Sequence, residues 1–262
     1  MIPYPNISPV FLQIGPLALR WYGLMYALSF ILSYFLIQVM AVRKRVNVTK
    51  DEVSDLLFYA AIGVILGGRF GYILFYNPVF YLTHPLKLFA VWEGGMAFHG
   101  GLLGVIVMGL LFCRKYKRSF YQLADIAMPS VSIGLGLGRI GNFINGELFG
   151  RPTNLPWCMV FPEGGDVCRH PSQLYQAALE GGVLFLILWA LSKRNLATGS
   201  LFWTLICFYG LFRFLVEFVR QPDAHIGFIF EYFSMGQMLS LPMFVIGLVM
   251  LWFLNSRKSL PF

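Results

Sequence analysis

The stretch that decides the fold runs from Gly134 to Thr153 and reads GLGLGRIGNFINGELFGRPT. It places Arg139 and Asn142, followed by Glu147, at the end of an otherwise apolar run. An ionised arginine at the centre of a membrane helix costs roughly 2.5–3.5 kcal/mol on insertion scales. Such a side chain is therefore buried in protein, paired with an acid, or directed at an anion. Because lipid phosphates are the abundant anions of a membrane, this stretch predicts a site for phospholipid chemistry.

The composition is that of an integral membrane protein. Hydrophobic residues make up 58% of the 262 positions and charged residues only 12%, with a mean hydropathy of +0.68. A soluble domain carries about 25% charged residues. The net charge of +8 does not indicate nucleic-acid binding, because most of the charges sit in short clusters between apolar runs. We therefore expect an all-α membrane protein.

Seven apolar runs approach the ~20 residues that cross a bilayer core. The predicted spans are 19–42, 54–76, 94–113, 121–145, 174–192, 199–219 and 235–255. The fourth contains Asp125, Pro129 and several glycines, so a break in that helix stays open. The first residues lack a basic region and a small-residue cleavage site, so the first span is expected to be retained. We expect residues 1–262 to form a single membrane domain.

Basic clusters after alternate spans predict the orientation. Twelve of the 20 basic residues lie in four such clusters: Arg43, Lys44, Arg45 and Lys50; Arg114, Lys115, Lys117 and Arg118; Lys193 and Arg194; and Arg257 and Lys258. Since cytoplasmic loops are enriched in Lys and Arg, the N-terminus is expected outside and the C-terminus inside. The other eight basic residues, within spans or on the outer side, need a different explanation.

The longest outer connection, about residues 146–173, is predicted to form a small extramembrane cap. It is polar, rich in Pro and Gly, and holds Cys158 and Cys168. Two cysteines in one external loop are compatible with a disulfide, and equally with two free thiols. No Cys/His spacing resembles a metal site, so we expect no metal.

The sixth span carries four polar groups on one predicted helix face. Tyr209, Arg213, Glu217 and Arg220 follow one another at spacings of four, four and three. One interpretation is an ion pair between Arg213 and Glu217 that only neutralises both. The other is an anion site, because Glu217 can balance only one arginine and guanidinium binds phosphate oxygens bidentately.

Arg139 and Asn142 also share a helix face, with the same two interpretations. Either Arg139 is neutralised by Glu147 or Asp125, or its guanidinium and the Asn142 amide face a ligand. The surrounding glycines favour close helix contact, with small residues four apart at Gly134 and Gly138, Gly63 and Gly67, and Gly100 and Gly104. Arg69 follows the second of these pairs, and structural and site-lining roles are equally open for it.

Two further polar groups are candidates near the outer ends of spans. His99, in MAFHGG at 96–101, is either a hydrogen-bonded packing residue or, beside arginines, a neutral general base. Tyr22 and Tyr26, four apart at the start of the first span, are either interfacial aromatics or hydroxyls directed into the site.

Five segments together resemble the bacterial prolipoprotein diacylglyceryl transferase family. They are GRIGNFINGELFGRPT at 138–153, MAFHGG at 96–101, RHPSQLYQA at 169–177, FRFLVEFVRQPD at 212–223 and SMGQMLSLPM at 234–243. The resemblance begins at Trp21–Tyr26 and extends to the last span. It implies seven spans and an active site on the periplasmic side of the bacterial inner membrane. It also implies transfer of a diacylglyceryl group from phosphatidylglycerol to the lipobox cysteine thiol of a prolipoprotein signal peptide, with release of glycerol phosphate. Such a reaction implies no cofactor, because the phosphodiester is already activated and the substrate supplies the nucleophile.

The resemblance also implies roles for individual residues. Arg139 would bind phosphatidylglycerol, Arg213 would be a second essential guanidinium, and His99 would be the base for the thiol. Further motif positions linked to substrate binding and site order are Tyr26, Asn142, Glu147, Gly150, Tyr209 and Glu217, with Arg69 beside them. The alternative function is an organic-anion transporter that uses the same arginines. Against it, the two halves show no repeat and the polar groups gather near the outer ends of spans.

Overall fold

A computed structural model shows a predominantly helical chain with two small hairpins. It describes all residues except 6, 16, 77, 91–94, 223–227, 230–232 and 259–262. The helices are α1 (Trp21–Lys44), α2 (Lys50–Tyr76), α3 (Pro78–Thr83), α4 (Phe98–Tyr116), α5 (Phe120–Asn145), α6 (Ser172–Gln176), α7 (Leu184–Ser192), α8 (Ser200–Glu217) and α9 (Met235–Lys258). A 3₁₀ turn covers Pro85–Phe89, and a π-helical segment, Ala177–Val183, joins α6 to α7 without a break. The antiparallel pairs are β1 (Val10–Ile14) with β2 (Leu17–Arg20), and β3 (Phe228–Ile229) with β4 (Phe233–Ser234).

Six helical stretches among the described residues are long and apolar enough to cross a membrane. They are Trp21–Lys44, Lys50–Phe75, Phe120–Asn145, Ser172–Ser192, Ser200–Glu217 and Met235–Ser256. Large apolar side chains such as Phe35, Phe58 and Trp252 are exposed on these helices, as lipid-facing residues are. The chain is thus a multi-pass membrane protein. The predicted third span, 94–113, corresponds to α4, and its crossing stays a prediction.

The chain folds as two compact units. One comprises Met1–Lys44 with Ala124–Phe262, and the other comprises Arg45–Leu123. A single membrane domain over 1–262 therefore stays a prediction.

In the second unit, α2 and α4 pack with their backbones in contact. A Cβ added at Gly63 would lie 2.7 Å from the carbonyl oxygen of Gly104, and one added at Gly71 would lie 2.8 Å from Cα of Gly100. Small residues allow this approach in lipid. The predicted contacts at Gly63, Gly67, Gly100 and Gly104 are confirmed.

Helix α5, which belongs to the first unit from Ala124 onward, runs unbroken through Pro129 from Phe120 to Asn145. Asp125, near its start, is buried and accepts hydrogen bonds from the backbone N–H groups of Gly199 (2.7 Å) and Phe202 (3.0 Å). These N–H groups lie at the first turn of α8, where a carboxylate is favoured by the helix dipole. Asp125 thus fixes the beginning of α8 against α5.

Candidate active site

The first unit holds a buried ion pair between α5 and the π-helical segment. Nε of Arg139 lies 3.3 Å from Oε2 of Glu180. The Glu180 side chain is fully buried, whereas 17% of the Arg139 side chain is exposed. The alternative that Glu147 or Asp125 neutralises Arg139 is wrong, since Glu180 occupies that position and Asp125 binds α8.

Two glycines bring these elements together. A Cβ added at Gly181 would lie 2.6 Å from Cα of Gly136, so the two backbones touch. The predicted contact face at Gly134 and Gly138 is wrong: Gly134 makes only ordinary contact with Ser29, and Gly138 has no atom of another element within 4 Å. The close approach therefore lies one helical turn before Arg139.

A second pair lies on α8, as the spacing predicts. Nη2 of Arg213 is 3.1 Å from Oε2 of Glu217, which is 3% exposed. Nη1 of Arg213 is buried and donates no hydrogen bond to any described residue. The Glu217 carboxylate rests against Gly236 in the first turn of α9, where an added Cβ would lie 2.6 Å from Oε2. The internal ion pair thus exists, and Arg213 retains a donor for a ligand.

Tyr209 relates the two pairs. It precedes Arg213 by one turn and interacts electrostatically with Arg139, Glu180 and Arg213. Both arginine–glutamate pairs therefore lie within electrostatic range of one phenol. The predicted place of Arg220 on the same helix face is wrong, because α8 ends at Glu217; Arg220 lies beyond the helix, is buried, and forms a backbone bridge with Gly150.

Polar groups at the end of α5 converge on Glu147. Its Oε1 accepts hydrogen bonds from Nδ2 of Asn142 (2.9 Å) and Nδ2 of Asn145 (3.1 Å). Its backbone carbonyl accepts one from Nε2 of the buried Gln173 (2.6 Å). The Asn142 amide is thus held by Glu147, close in sequence to Arg139.

The tyrosines of α1 lie at the same end of the first unit. Tyr22 packs on Gly141, where an added Cβ would lie 2.7 Å from Cδ2 of the ring, and it interacts electrostatically with Arg139 and Glu147. The Tyr26 ring centroid is 5.2 Å from that of Tyr22, and Tyr26 is 43% exposed. Tyr22 is therefore the inner residue and Tyr26 the outer one.

The segment 146–173 is held by backbone pairing and by a disulfide between Cys158 and Cys168. Gly150 N–H donates to the carbonyl of His170 (2.8 Å), and Arg151 N–H donates to that of Val219 (2.8 Å). The Arg151 guanidinium donates to the backbone carbonyls of Arg220 and Glu217 at 2.9 and 3.2 Å. The segment thus braces the end of α8 beside Glu217.

In the second unit, Arg69 is buried and its guanidinium donates to three backbone carbonyls, those of Lys87, Leu88 and Gly95. These bonds favour a structural role in holding the segment after α3. His99 is the second residue of α4, and its side chain lies outside the described residues.

Sequence reasoning missed several residues of the site, Glu180 first among them. Glu180 is an acid inside the predicted span 174–192, and an ionisable residue in a span is itself a functional signal. Gln176, four residues earlier, donates to Oε1 of Glu180 at 3.1 Å. Arg151 and Gly236 could not be found from spacing, because their partners lie far along the chain. Among the described residues, no three His, Cys, Asp or Glu side chains cluster as metal ligands would.

Comparisons with known proteins agree over almost the full length. A model of the prolipoprotein diacylglyceryl transferase family matches residues 9–253. A phosphatidylglycerol–prolipoprotein diacylglyceryl transferase of Geobacter sulfurreducens is 60% identical, over 98% of this chain and 99% of its own. Proteins of the same name from Aeromonas hydrophila and Bordetella avium are each 52% identical, over 98% and 99% of this chain and 94% and 98% of their own. The chain belongs to the prolipoprotein diacylglyceryl transferase family.

Proposed function

We propose that this protein transfers the diacylglyceryl group of phosphatidylglycerol to the lipobox cysteine of prolipoproteins, the first step of bacterial lipoprotein maturation. The observation that carries the proposal is the presence of two arginines, each paired with a glutamate in helical stretches long and apolar enough to cross a membrane, and both within electrostatic range of Tyr209. Arg213 retains an unpaired donor among the described residues, and Arg139 remains partly exposed. Guanidinium groups in a water-poor site bind a phosphodiester strongly.

The reaction is a displacement at a glyceryl carbon. The cysteine sulfur attacks the carbon that carries the phosphate, the carbon–oxygen bond breaks, and glycerol phosphate leaves with the electron pair. Arg139 and Arg213 would stabilise the charge that develops on the leaving phosphate, where a single preorganised donor contributes about 10²–10³-fold in rate. The thiol must lose its proton, because the thiolate is the nucleophile. We assign that proton to His99.

The remaining residues would order the site. Asn142, Glu147 and Tyr26 would contact the headgroup side of the lipid, and Tyr209 would lie beside both ion pairs. Gly150 and Glu217 would act through the position of α8, and Arg69 through the segment that it holds. We place the enzyme in the bacterial inner membrane with seven spans, an outer N-terminus, and a periplasmic cap over 146–173 above the active site.

The test uses purified protein in detergent with phosphatidylglycerol and a synthetic lipobox peptide. Glycerol phosphate release and a diacylglyceryl mass gain on the peptide are expected together. Arg139→Ala should lower turnover at least 10²-fold, whereas Arg194→Ala, an exposed arginine outside the site, should not. Release without peptide modification would indicate a phospholipase. If the folded protein catalyses no reaction, the alternative of an organic-anion transporter would be favoured, although the relatives are named transferases.

Two variants refine the roles. Arg213→Lys keeps the charge and loses the bidentate fork, so we expect a large loss of kcat/KM; full activity would mean that charge alone suffices. His99→Gln should slow the thiol chemistry and change the pH–rate profile. An unchanged profile would exclude His99 as the base.

A further inference from the structure

The π-helical segment Ala177–Val183 displays a buried carboxylate with two partners. Oε2 of Glu180 accepts from Nε of Arg139, and Oε1 accepts from Nε2 of Gln176 at 3.1 Å. Both Glu180 and Gln176 are fully buried. A π-helical turn within an α-helix is rare and occurs frequently at functional sites. The segment therefore presents one acid to one arginine, with its rotation fixed by the glutamine.

The backbone contact beside Glu180 fixes the position of the π-helical segment relative to α5. Gly181 touches Gly136, so a larger residue at either position would force the two backbones apart. Arg139 lies three residues after Gly136 and Glu180 directly before Gly181. The glycine contact and the ion pair are thus parts of one local arrangement.

The bond uses one particular edge of the guanidinium. Glu180 takes the Nε–H of Arg139, and the structure shows no hydrogen bond from Nη1 or Nη2 of Arg139 to any described residue. Because the guanidinium is planar, fixing Nε also fixes the direction of the two terminal nitrogens. Those nitrogens form the fork that binds two phosphate oxygens.

We infer that Glu180 is a positioning residue of this enzyme, which aims the Nη1/Nη2 fork of Arg139 at the phosphate of phosphatidylglycerol. This inference rests on the proposed function. Glu180 does not contact the lipid itself; it acts through Arg139. Gln176 keeps the carboxylate in place, and the Gly136–Gly181 contact keeps the two elements in register.

A displacement of about 1 Å in a positioned group can cost 10²-fold in rate. Glu180→Gln keeps the size of the side chain and removes its charge. In this variant kcat/KM for phosphatidylglycerol should fall by roughly 10²-fold, while KM for the lipobox peptide stays unchanged. Asp125→Asn is the matched control: it also alters a buried carboxylate of the first unit, but one that binds only backbone. That control should lower thermal stability without a selective effect on phosphatidylglycerol.

A double-mutant cycle separates positioning from a merely structural role. Glu180→Gln should have almost no further effect on kcat/KM in an Arg139→Lys background, because the fork that it aims is already gone. Additive losses would overturn the inference, as would an equal rise of KM for both substrates. Normal kinetics of Glu180→Gln in an active wild-type background would overturn it while leaving the proposed function intact. An inactive wild type would instead refute the function.

The neighbouring glycines supply an independent test that leaves the carboxylate in place. Gly181→Ala should reproduce the selective loss for phosphatidylglycerol, because its Cβ would push α5 away. Gly182→Ala should be silent, since its Cβ meets no other atom within 4 Å. Equal kcat/KM of the two variants for phosphatidylglycerol would contradict the proposed link between the Gly136–Gly181 contact and the orientation of the Arg139 guanidinium.

Discussion

Replacing Gly150 by alanine should damage the site through the backbone alone. The added Cβ would lie 2.6 Å from both the His170 Cβ and the Val219 carbonyl oxygen. Ordinary contact begins near 3.4 Å, so each neighbour must yield about 0.8 Å. Overpacking of this kind costs about 1–3 kcal/mol, and the hydrogen bond from Gly150 N–H to His170 contributes about 1 kcal/mol more. At roughly 2–4 °C per kcal/mol, the melting temperature should fall by several degrees.

The loss of activity in this variant should be larger than its loss of stability alone explains. Arg151 follows Gly150 and binds the backbone carbonyls of Glu217 and Arg220. A shift of nearly 1 Å there moves the end of α8, and hence the Arg213–Glu217 pair, with a loss of up to 10²-fold in rate.

The assay combines thermal unfolding in detergent with glycerol phosphate release at a temperature where the variant is folded. Gly23→Ala serves as the control, because a Cβ at Gly23 meets no atom within 4 Å and alanine favours a helix. If Gly150→Ala unfolds normally and turns over at the wild-type rate, the backbone argument is refuted.

Three further changes have defined outcomes. Gly236→Ala should displace the Glu217 carboxylate from Arg213 and so lower activity with little loss of melting temperature. An unchanged rate would show that the Arg213–Glu217 pair tolerates the displacement of the carboxylate. Cys158→Ala removes the disulfide, which joins residues 10 apart in the sequence. In the chain-entropy model a disulfide closing a loop of this length stabilises the fold by about 2.7 kcal/mol. Limited proteolysis of 146–173 should therefore be faster in this variant. Burial lowers the pKa of His170. As the pH falls below about 6.5, the unfolded state therefore takes up a proton on this imidazole before the folded state does, and the free energy of unfolding should decrease. His170→Gln should flatten this part of a plot of melting temperature against pH.

The sequence predicts six of the seven spans, because hydropathy and length determine what a bilayer accepts. These six correspond to helical stretches long and apolar enough to cross a membrane, with ends that differ by a few residues, and the third corresponds to α4, whose crossing stays a prediction. The details inside the spans were harder to predict. Pro129 left open a break in the fourth span that does not exist, since the helix continues through it. The fifth span instead contains a π-helical segment, for which its apolar sequence offers no periodic signal.

Local spacing predicts only part of the site. The Arg213–Glu217 pair is four residues apart on one helix and follows from helix geometry. The partner of Arg139 lies 41 residues away and depends on the contact of Gly136 with Gly181, so periodicity could not identify it. The family resemblance named residues such as Gly150 without their physical reason, which the crowding of its backbone now supplies. The roles of His99, Arg69 and the other site residues stay predictions.

The glycine contact between α2 and α4 bears on how this family can diversify. An interface made of backbone has no rotamers to immobilise, so its formation costs no side-chain entropy. Its specificity resides in a few positions, such as Gly63 and Gly104, that no larger residue can replace. The outward faces of both helices do not take part in this contact. We therefore expect their residues to change freely as bacteria adapt the thickness and fluidity of their lipids, while Gly63, Gly67, Gly100 and Gly104 stay constant.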